Sequence, residues 1–338
     1  MEHVRAGSTK LPSVSFYTVA DSRYFPGVAA MVNSLRILGH NEVVHVLDCG
    51  LEPAQRALLA REATIVPCED GRIPHLQKYV LPLERPADVM VIVDADVIFT
   101  RPLRELLTGA AAGQVVAFAD RVPHRYFAEW GELLDLRGVT RRTYLNAGLI
   151  MLPREPGARI LACAKKGLAR IDVDNSMLGG GPPSYPFSYL EQDVFNAVLS
   201  AFTEPSEVLT LETRLAPVPP FSGLRIMDEA RLRCCYADGV EPFALHHLDE
   251  KPWLVATGAN AYSRLLTRVL LDPSAAVPVE SECLPLRLRG GGLGACARRS
   301  SDVRAAARGA WHDTRLAAHR VRSRTPWSSS RPAPGETR

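Results

Sequence analysis

The chain has 338 residues, with 46% hydrophobic and 23% charged side chains and a formal net charge of +3, a composition typical of globular proteins. Twelve arginines against three acidic residues give the segment 284–338 a charge of +9, which leaves −6 on residues 1–283. This mildly acidic body argues against a protein that coats nucleic acid, and the sequence has no run of 18 or more apolar residues that would predict a membrane span.

Strand and helix patterns alternate through the first half of the chain. Runs of β-branched, aromatic or continuously apolar residues predict strands; they lie at residues 13–19, 42–47, 63–66, 89–93, 115–119 and 148–152. Apolar residues at helical spacing after a proline predict helices at 26–38 and 53–61. The alternation predicts an α/β fold, with a mostly parallel, Rossmann-like central sheet and helices on both faces.

Two further segments differ from this pattern. The sequence LGGGPPSYP at 178–186 predicts an irregular loop. After residue 283 the composition shifts to Arg, Ala, Gly and Ser, which predicts a domain at 1–283 and a basic, partly disordered tail at 284–338. Residues 309–324 mix apolar side chains with several arginines, which fits either an interfacial helix on anionic lipid or a solvated tail.

The seven cysteines form no CxxC pair. This favours reduced thiols and therefore a cytoplasmic protein. Peripheral contact with the inner face of the membrane, through the basic tail, is compatible with that location.

Two carboxylates, Asp94 and Asp96, follow the apolar run at 89–93. They are predicted to lie at the C-terminal end of a buried strand, where open α/β sheets bind ligands. Neighbouring carboxylates repel each other unless a cation neutralises them, and Mg²⁺ or Mn²⁺ binds oxygen ligands and bridges them to a diphosphate. The pattern occurs in nucleotide-sugar glycosyltransferases and in haloacid-dehalogenase-like phosphatases; an acidic turn that caps a helix is the structural alternative. Several elements precede the pair and Val97-Ile98-Phe99 follows it, which disfavours the phosphatase.

A second constellation is the sequence ALHHLDEKPW at 244–253. One of its histidines, His246 or His247, could be the third ligand of a metal ion, and Lys251 could place a point charge beside a phosphate. Since adjacent strand residues point to opposite faces, at least one of the two histidines is an ordinary, partly buried residue.

Several motifs, in order along residues 13–255, make the chain similar to the retaining glycosyltransferases of family 8. This family has the GT-A fold and includes glycogenin and bacterial lipopolysaccharide galactosyl- and glucosyltransferases. The motifs are Tyr17-Thr18-Val19-Ala20-Asp21-Ser22-Arg23-Tyr24, Lys78, Asp94-Ala95-Asp96, Tyr144-Leu145-Asn146-Ala147-Gly148-Leu149-Ile150, Leu190-Glu191-Gln192-Asp193-Val194-Phe195-Asn196 and the histidine pair with Lys251-Pro252-Trp253.

The resemblance implies a metal-dependent transfer of a sugar from a nucleotide diphosphate, with UDP favoured, to an acceptor hydroxyl, with retention of configuration. The acceptor would be a saccharide, a lipid-linked molecule or another hydroxyl compound. The implied ligands of Mn²⁺ (or Mg²⁺) are Asp94, Asp96 and His246 (or His247). The implied donor-binding residues are Tyr17, Asp21, Tyr24, Lys78, Asn146, Gly148 and Glu191. The implied catalytic residues are Gln192, Asp193 and Lys251.

Departures from the family pattern favour one alternative function. The family has His-x-x-Gly-x-x-Lys-Pro-Trp, whereas here the glycine is missing and the spacing from His246 to Lys251 is one residue shorter. Glu191 replaces the usual Asp. A non-catalytic nucleotide-sugar-binding protein of the same fold is therefore the alternative.

Three of the chosen segments also have purely structural interpretations. Residues 191–196 could be the polar start of a helix, because acidic side chains stabilise a first turn. Residues 146–148 could be a junction between a loop and a strand. Tyr126, Phe127 and Trp130 could stack on sugars of an acceptor, but the core side of a helix is the favoured interpretation.

Overall fold

The computed structural model describes residues 12–69, 73–248, 250–255 and 260–289, together with isolated residues between 292 and 300. The tail segment 309–324 and the C-terminal residues predicted to be disordered lie outside these described residues. Within the described part of the chain, no helix has the length and apolar character needed to cross a bilayer.

The strands and helices agree with the predicted order. The strands are β1 (Val14–Ala20), β2 (Val43–Asp48), β3 (Thr64–Pro67), β4 (Val89–Val93), β5 (Val97–Phe99), β6 (Val115–Ala119), β7 (Leu145–Pro153), β8 (Val208–Leu211), β9 (Arg225–Asp228), β10 (Arg233–Cys235) and β11 (Ala244–His246). The helices are α1 (Phe25–Ile37), α2 (Pro53–Leu59), α3 (Val80–Glu84), α4 (Arg104–Ala111), α5 (Trp130–Leu134), α6 (Arg154–Leu168), α7 (Glu191–Phe202) and α8 (Ala261–Leu271). The largest shift from the predicted bounds is at β7, which begins at Leu145 rather than at 148.

The central sheet has seven strands in the order β3-β2-β1-β4-β7-β6-β8. Strands β3, β2, β1 and β4 run parallel to one another, and β6 runs parallel to β8. β7 runs antiparallel to both β4 and β6. The prediction of a mostly parallel sheet is confirmed, with one reversed strand that the alternation of patterns did not indicate. β5 and β11 form a separate antiparallel pair.

Helices cover both faces of the sheet, as predicted. Alternate residues of β4 enter different cores: Val91 packs with residues of α1, α4 and α8, whereas Ile92 packs with residues of α5, α6 and α7. Every residue of β4 is buried. A continuous apolar run is what a strand covered on both faces requires.

The described chain remains packed on the body beyond residue 283, where the domain was predicted to end. Leu284 and Leu288 are 1% and 3% exposed and belong to the same apolar core as α1 and α8. The arginines between and after these leucines dominate the composition of the segment and conceal the apolar spacing of the leucines. The predicted boundary at 283 therefore divides a packed segment.

Asn33 of α1 attaches this C-terminal part to the body. Its side chain is buried and donates to the carbonyl oxygens of Val269 and Val277, both at 3.0 Å, and accepts from the Val277 amide at 2.8 Å. Asn33→Leu would leave three buried main-chain groups without these partners, so we expect a loss of about 3 kcal/mol in the free energy of unfolding. Urea denaturation measures it.

The exposed Asn41 provides the control for this prediction. Asn41→Leu should change the free energy of unfolding by less than about 0.5 kcal/mol. Similar losses in the two variants would contradict the anchoring role of Asn33.

Candidate functional site

A cleft lies at the C-terminal ends of β1 and β4. It consists of two adjoining cavities of about 350 and 610 Å³, and Tyr24, Asp94 and Asp96 line both. The smaller cavity continues to Asp21 at the end of β1, and the larger one to Gln192 at the start of α7. The two carboxylates therefore lie where the cavities join, at the sheet edge predicted for them.

Asp94, Asp96 and His246 form a compact cluster. His246 Nε2 is 3.5 Å from Asp94 Oδ2 and 3.2 Å from Asp96 Oδ1, and one ligand atom from each residue lies within 4.8 Å of the others. The pairing of β11 with β5 produces this proximity, because it places His246 opposite Val97, one residue after Asp96. Asp96 Oδ1 is buried and accepts no hydrogen bond from the described residues. Such an oxygen and such a donor set fit a hard divalent cation.

The orientation of the His246 ring follows from the partners of its other nitrogen, Nδ1. Asn146 Nδ2 donates to Asp120 Oδ2 at 2.9 Å, and Asn146 Oδ1 accepts from the Gly148 amide at 2.9 Å, which fixes the orientation of the amide. His246 Nδ1 lies 3.1 Å from the same Oδ1 and must donate to it. Nε2 is therefore the ring nitrogen that faces both carboxylates, the position from which it could share a cation with them.

Gly148 makes room for this imidazole. A Cβ at position 148 would overlap the His246 ring and lie 2.9 Å from Asn146 Oδ1. The glycine and the asparagine, which the resemblance assigned to the donor, thus form the support of His246 within β7. They make no junction between a loop and a strand, because β7 already begins at Leu145.

His247 points away from the cluster. Its ring centroid lies 4.9 Å from that of Tyr262 and 6.0 Å from that of Phe221. Its main-chain amide donates to the Asp96 carbonyl at 3.2 Å. The structure therefore places His246, and not His247, beside the two carboxylates, as the alternation of side chains along a strand requires.

Two buried lysines flank the carboxylates. Lys78 Nζ is 2.5 Å from Asp94 Oδ1 and 3.3 Å from Glu191 Oε1, whereas Lys251 Nζ contacts Asp96 Oδ2. Burial alone would lower the pKa of Lys78, but the charges of Asp94 and Glu191 raise it above its usual range. Burial alone would raise the pKa of Asp96, but His246 and Lys251 lower it. At neutral pH, Lys78 is therefore protonated and Asp96 is ionised.

The shorter spacing between His246 and Lys251 does not separate them, because both side chains reach Asp96. Trp253 holds this segment in place: its Nε1 donates to the Arg23 carbonyl at 2.8 Å. Its ring also packs so closely on Gly27 that a Cβ there would lie 2.7 Å from it. The absence of the family's glycine is thus compatible with the predicted grouping of His246 and Lys251 around Asp96.

The first turn of α7 supplies two of its three predicted residues to the cleft. Glu191 lines the cleft and pairs with Lys78. Gln192 also lines it, with Oε1 accepting from the Ala147 amide at 2.9 Å and Nε2 donating to Asp120 at 3.3 Å. The structural interpretation of 191–196 as the start of a helix is correct, and the same helix start also forms part of the cleft.

The structure does not bring Asp193 to the cleft. Its side chain is 0% exposed, receives Arg125 Nε and a second guanidinium nitrogen at 2.6 and 2.8 Å, and accepts from the Tyr144 hydroxyl at 2.7 Å. The Tyr189 amide donates to it at 2.7 Å. Asp193 directly follows Gln192 in the first turn of α7, but its side chain points into the fold, so the predicted contact with a sugar hydroxyl is not available to it.

Tyr17 is likewise outside the cleft. Side chains alternate along β1, and Tyr17 faces the core on the side of α6 and α7, where its hydroxyl donates to the Arg85 carbonyl at 2.6 Å. Asp21 and Tyr24, in contrast, line the cleft. Burial, followed by the charges of Asp96, Asp21 and Asp94, raises the pKa of Tyr24 to about 12, so its hydroxyl stays protonated.

Asp120 belongs to the site and was not predicted. It lines the cleft, is 5% exposed, and accepts from the amides of Asn146 and Gln192. It follows the apolar run of β6 as Asp94 follows that of β4. A search for acidic residues directly after buried strands would have found it. Trp130 is 2% exposed, which confirms the core interpretation for that aromatic.

The sheet order and the position of the cleft define an α/β protein with the GT-A fold of glycosyltransferases. No protein-family model matches the sequence, and no curated protein matches it significantly. The fold gives no support to the phosphatase alternative, since the Asp94–Asp96 pair follows the fourth strand rather than the first.

Solved glycosyltransferases share this fold with the chain. An active-site mutant of LgtC superposes with a TM-score of 0.50 at 16% identity, over 75% of this chain and 94% of its own. The bifunctional glycosyltransferase WbbM has a TM-score of 0.52 at 16% identity, over 78% of this chain and 51% of its own. GlyE of Streptococcus pneumoniae TIGR4 has a TM-score of 0.50 at 13% identity, over 79% of this chain and 62% of its own.

Proposed function

We propose that the protein is a metal-dependent glycosyltransferase, which moves a sugar from a nucleotide diphosphate to an acceptor hydroxyl. The observation that carries the proposal is the convergence of Asp94, Asp96 and His246 at the junction of two cavities, with a buried carboxylate oxygen that accepts no hydrogen bond from the described residues. The fold shared with LgtC, WbbM and GlyE supports the same class of activity.

The chemical problem of this reaction is the negative charge that develops on the leaving diphosphate. Asp94, Asp96 and His246 would hold Mn²⁺ or Mg²⁺, which would supply a Lewis acid to neutralise this charge. Lys78 and Lys251 add fixed positive charges on either side of the carboxylates. Charges that are oriented before the reaction are usually the largest contribution to catalysis.

The remaining cleft residues have roles that follow from their position. Asp21 and Tyr24 lie in the smaller cavity, which suits the nucleoside part of the donor. Glu191 and Gln192 lie in the larger one, beside the metal ligands, which suits the sugar. Gln192 is held at both ends of its amide by Ala147 and Asp120, so its position is fixed before a sugar binds.

Retention of configuration and a UDP donor are finer proposals that rest on the resemblance to family 8. A front-face mechanism is part of this proposal: the residue that the resemblance places beside the transferred carbon is Gln192, whose amide is a poor nucleophile. The leaving phosphate would then help to remove the proton of the acceptor hydroxyl.

The alternative of a non-catalytic binding protein was favoured by the altered spacing before Lys251. The contact of both His246 and Lys251 with Asp96 removes that argument. Turnover therefore remains the better proposal.

Nucleotide release from a panel of UDP- and GDP-sugars, with and without Mn²⁺, tests the proposed function. We expect release with at least one donor and a strong dependence on the metal ion. Tight, metal-dependent binding of nucleotide without turnover of any donor would instead favour the binding protein.

The two histidines should differ in their effect on metal affinity. His246→Asn should weaken Mn²⁺ binding by at least about tenfold, because it removes one ligand. His247→Asn should leave the affinity unchanged within about twofold and lower the thermal stability, since it alters packing against Tyr262. Titration with Mn²⁺, followed by electron paramagnetic resonance, measures both affinities; the opposite ranking would reassign the ligand.

A further inference from the structure

A basic groove leads out of the cleft. The larger cavity of the cleft shares Arg121 and Tyr189 with a neighbouring cavity of about 510 Å³. That cavity shares Arg125 and Tyr126 with a third one of about 270 Å³, which reaches β8. The two outer cavities, which together we call the basic groove, therefore adjoin each other and the cleft, in the direction of the edge of the sheet.

The lining of the basic groove is positively charged. It contains four arginines and His124, and it contains no aspartate or glutamate among the described residues. Arg125 is neutralised by Asp193. Arg121, Arg141 and Arg142 form no ion pair within the described part of the chain. Residues 1–283 carry −6 overall, so the excess of cations in the groove is local and does not reflect the composition of the body.

Aromatic rings lie between these cations. Tyr126, Phe127 and Tyr189 are half-buried in the groove. The Arg125 guanidinium lies 4.3 Å from the ring centroid of Tyr189 and 4.8 Å from that of Phe127, and this contact holds both rings in place. Flat apolar rings provide stacking surfaces for the apolar faces of pyranoses, and guanidinium groups pair with carboxylate or phosphate.

We propose that the basic groove binds an acidic oligosaccharide, the acceptor, whose terminal sugar enters the cleft. Its carboxylate or phosphate groups contact Arg121, Arg141 and Arg142, and its rings stack on Tyr126 and the neighbouring aromatics. The proposal rests on the proposed function, which supplies the reason for an acceptor to reach the cleft. The cations line concave cavities that continue into the cleft, a shape that suits a narrow chain and not the flat surface of a bilayer.

Tetragalacturonate serves as the probe, and its methyl ester serves as the uncharged control of the same length. Calorimetric titration at low and at physiological ionic strength measures both affinities for the full chain. We expect the acid to bind at least about tenfold more tightly than the ester, and this preference to fall with salt. The combined variant R121Q/R141Q/R142Q should lose the preference.

A matched variant, R85Q/R137Q/R225Q, removes three exposed arginines outside the groove and should keep the preference. Equal affinity for the acid and its ester, or equal losses in the two triple variants, would overturn the proposal. So would equally tight binding of a short single-stranded DNA that competes with tetragalacturonate, since the groove would then recognise polyanions in general. Failure of the proposed function would appear separately, as absence of donor turnover with these binding results unchanged.

Discussion

Asp96→Asn should reduce turnover of the nucleotide-sugar donor by about 10³-fold. The substitution removes a carboxylate that faces His246 Nε2 at 3.2 Å and also contacts Lys251. An amide keeps the shape of the side chain but loses its charge, so both the metal ion and the orientation of Lys251 lose their partner. Steady-state rates over a range of Mn²⁺ concentrations measure the effect, which excess metal should not restore.

Folding must be separated from chemistry in this comparison. Asp238→Asn is the control, because Asp238 is also paired with a basic side chain, that of Arg214, but lies exposed and outside the cleft. It should keep normal turnover. If Asp96→Asn retained the circular dichroism and the turnover of the native chain, the metal-site proposal would fail.

Gly148→Ala should weaken metal binding by between about 10- and 100-fold, as the loss of an outer support for a ligand does. The added methyl group would overlap the imidazole of His246. β7 is central in the sheet and cannot shift easily, so the imidazole has to leave the position from which Nε2 faces Asp94 and Asp96. Turnover should fall by a similar factor, and metal titration of both proteins measures the change.

Gly109→Ala tests whether an added methyl group is harmful in general. Gly109 lies in α4, and the nearest neighbours of a Cβ there would be 3.7 Å away, an ordinary van der Waals contact. This variant should keep full metal affinity and be slightly more stable, since alanine is the better helix former. Normal metal affinity in Gly148→Ala would show that the imidazole can bind metal from another position.

The pattern of apolar residues along each strand predicted most of the fold, because the burial of a strand determines which of its own residues are apolar. The continuous apolar run of β4 predicted a strand covered on both faces, and the carboxylates after it predicted the sheet edge of the cleft. The reversal of β7 was not predictable in this way. A buried strand has the same apolar sequence whether its neighbours are parallel or antiparallel.

The sequence predicted which residues meet at the site better than it predicted what each of them does there. Asp94, Asp96 and His246 meet as expected, whereas Asn146 and Gly148 support His246 from behind. Whether Asn146 and Gly148 contact a donor or support a histidine depends on which side chain of β11, a strand distant in sequence, lies next to them. Neither spacing nor composition predicts such contacts between distant parts of the chain. The burial of Asp193 was unpredictable for the same reason, because it depends on contacts with Arg125 and Tyr144.

The reversal of β7 has a consequence for engineering the protein. Because β7 starts at the cleft, residues 121–143, which precede it, form one continuous segment that leaves and re-enters the sheet at the same edge, where Asp120 and Asn146 lie side by side. The smaller cavity, which we propose binds the nucleoside, is built from other parts of the chain, largely β1, β4 and the turns that follow them. Segment 121–143 could therefore be exchanged between proteins of this fold to change the proposed acceptor groove, with the smaller cavity unchanged, as long as Arg125 is kept as the partner of the buried Asp193.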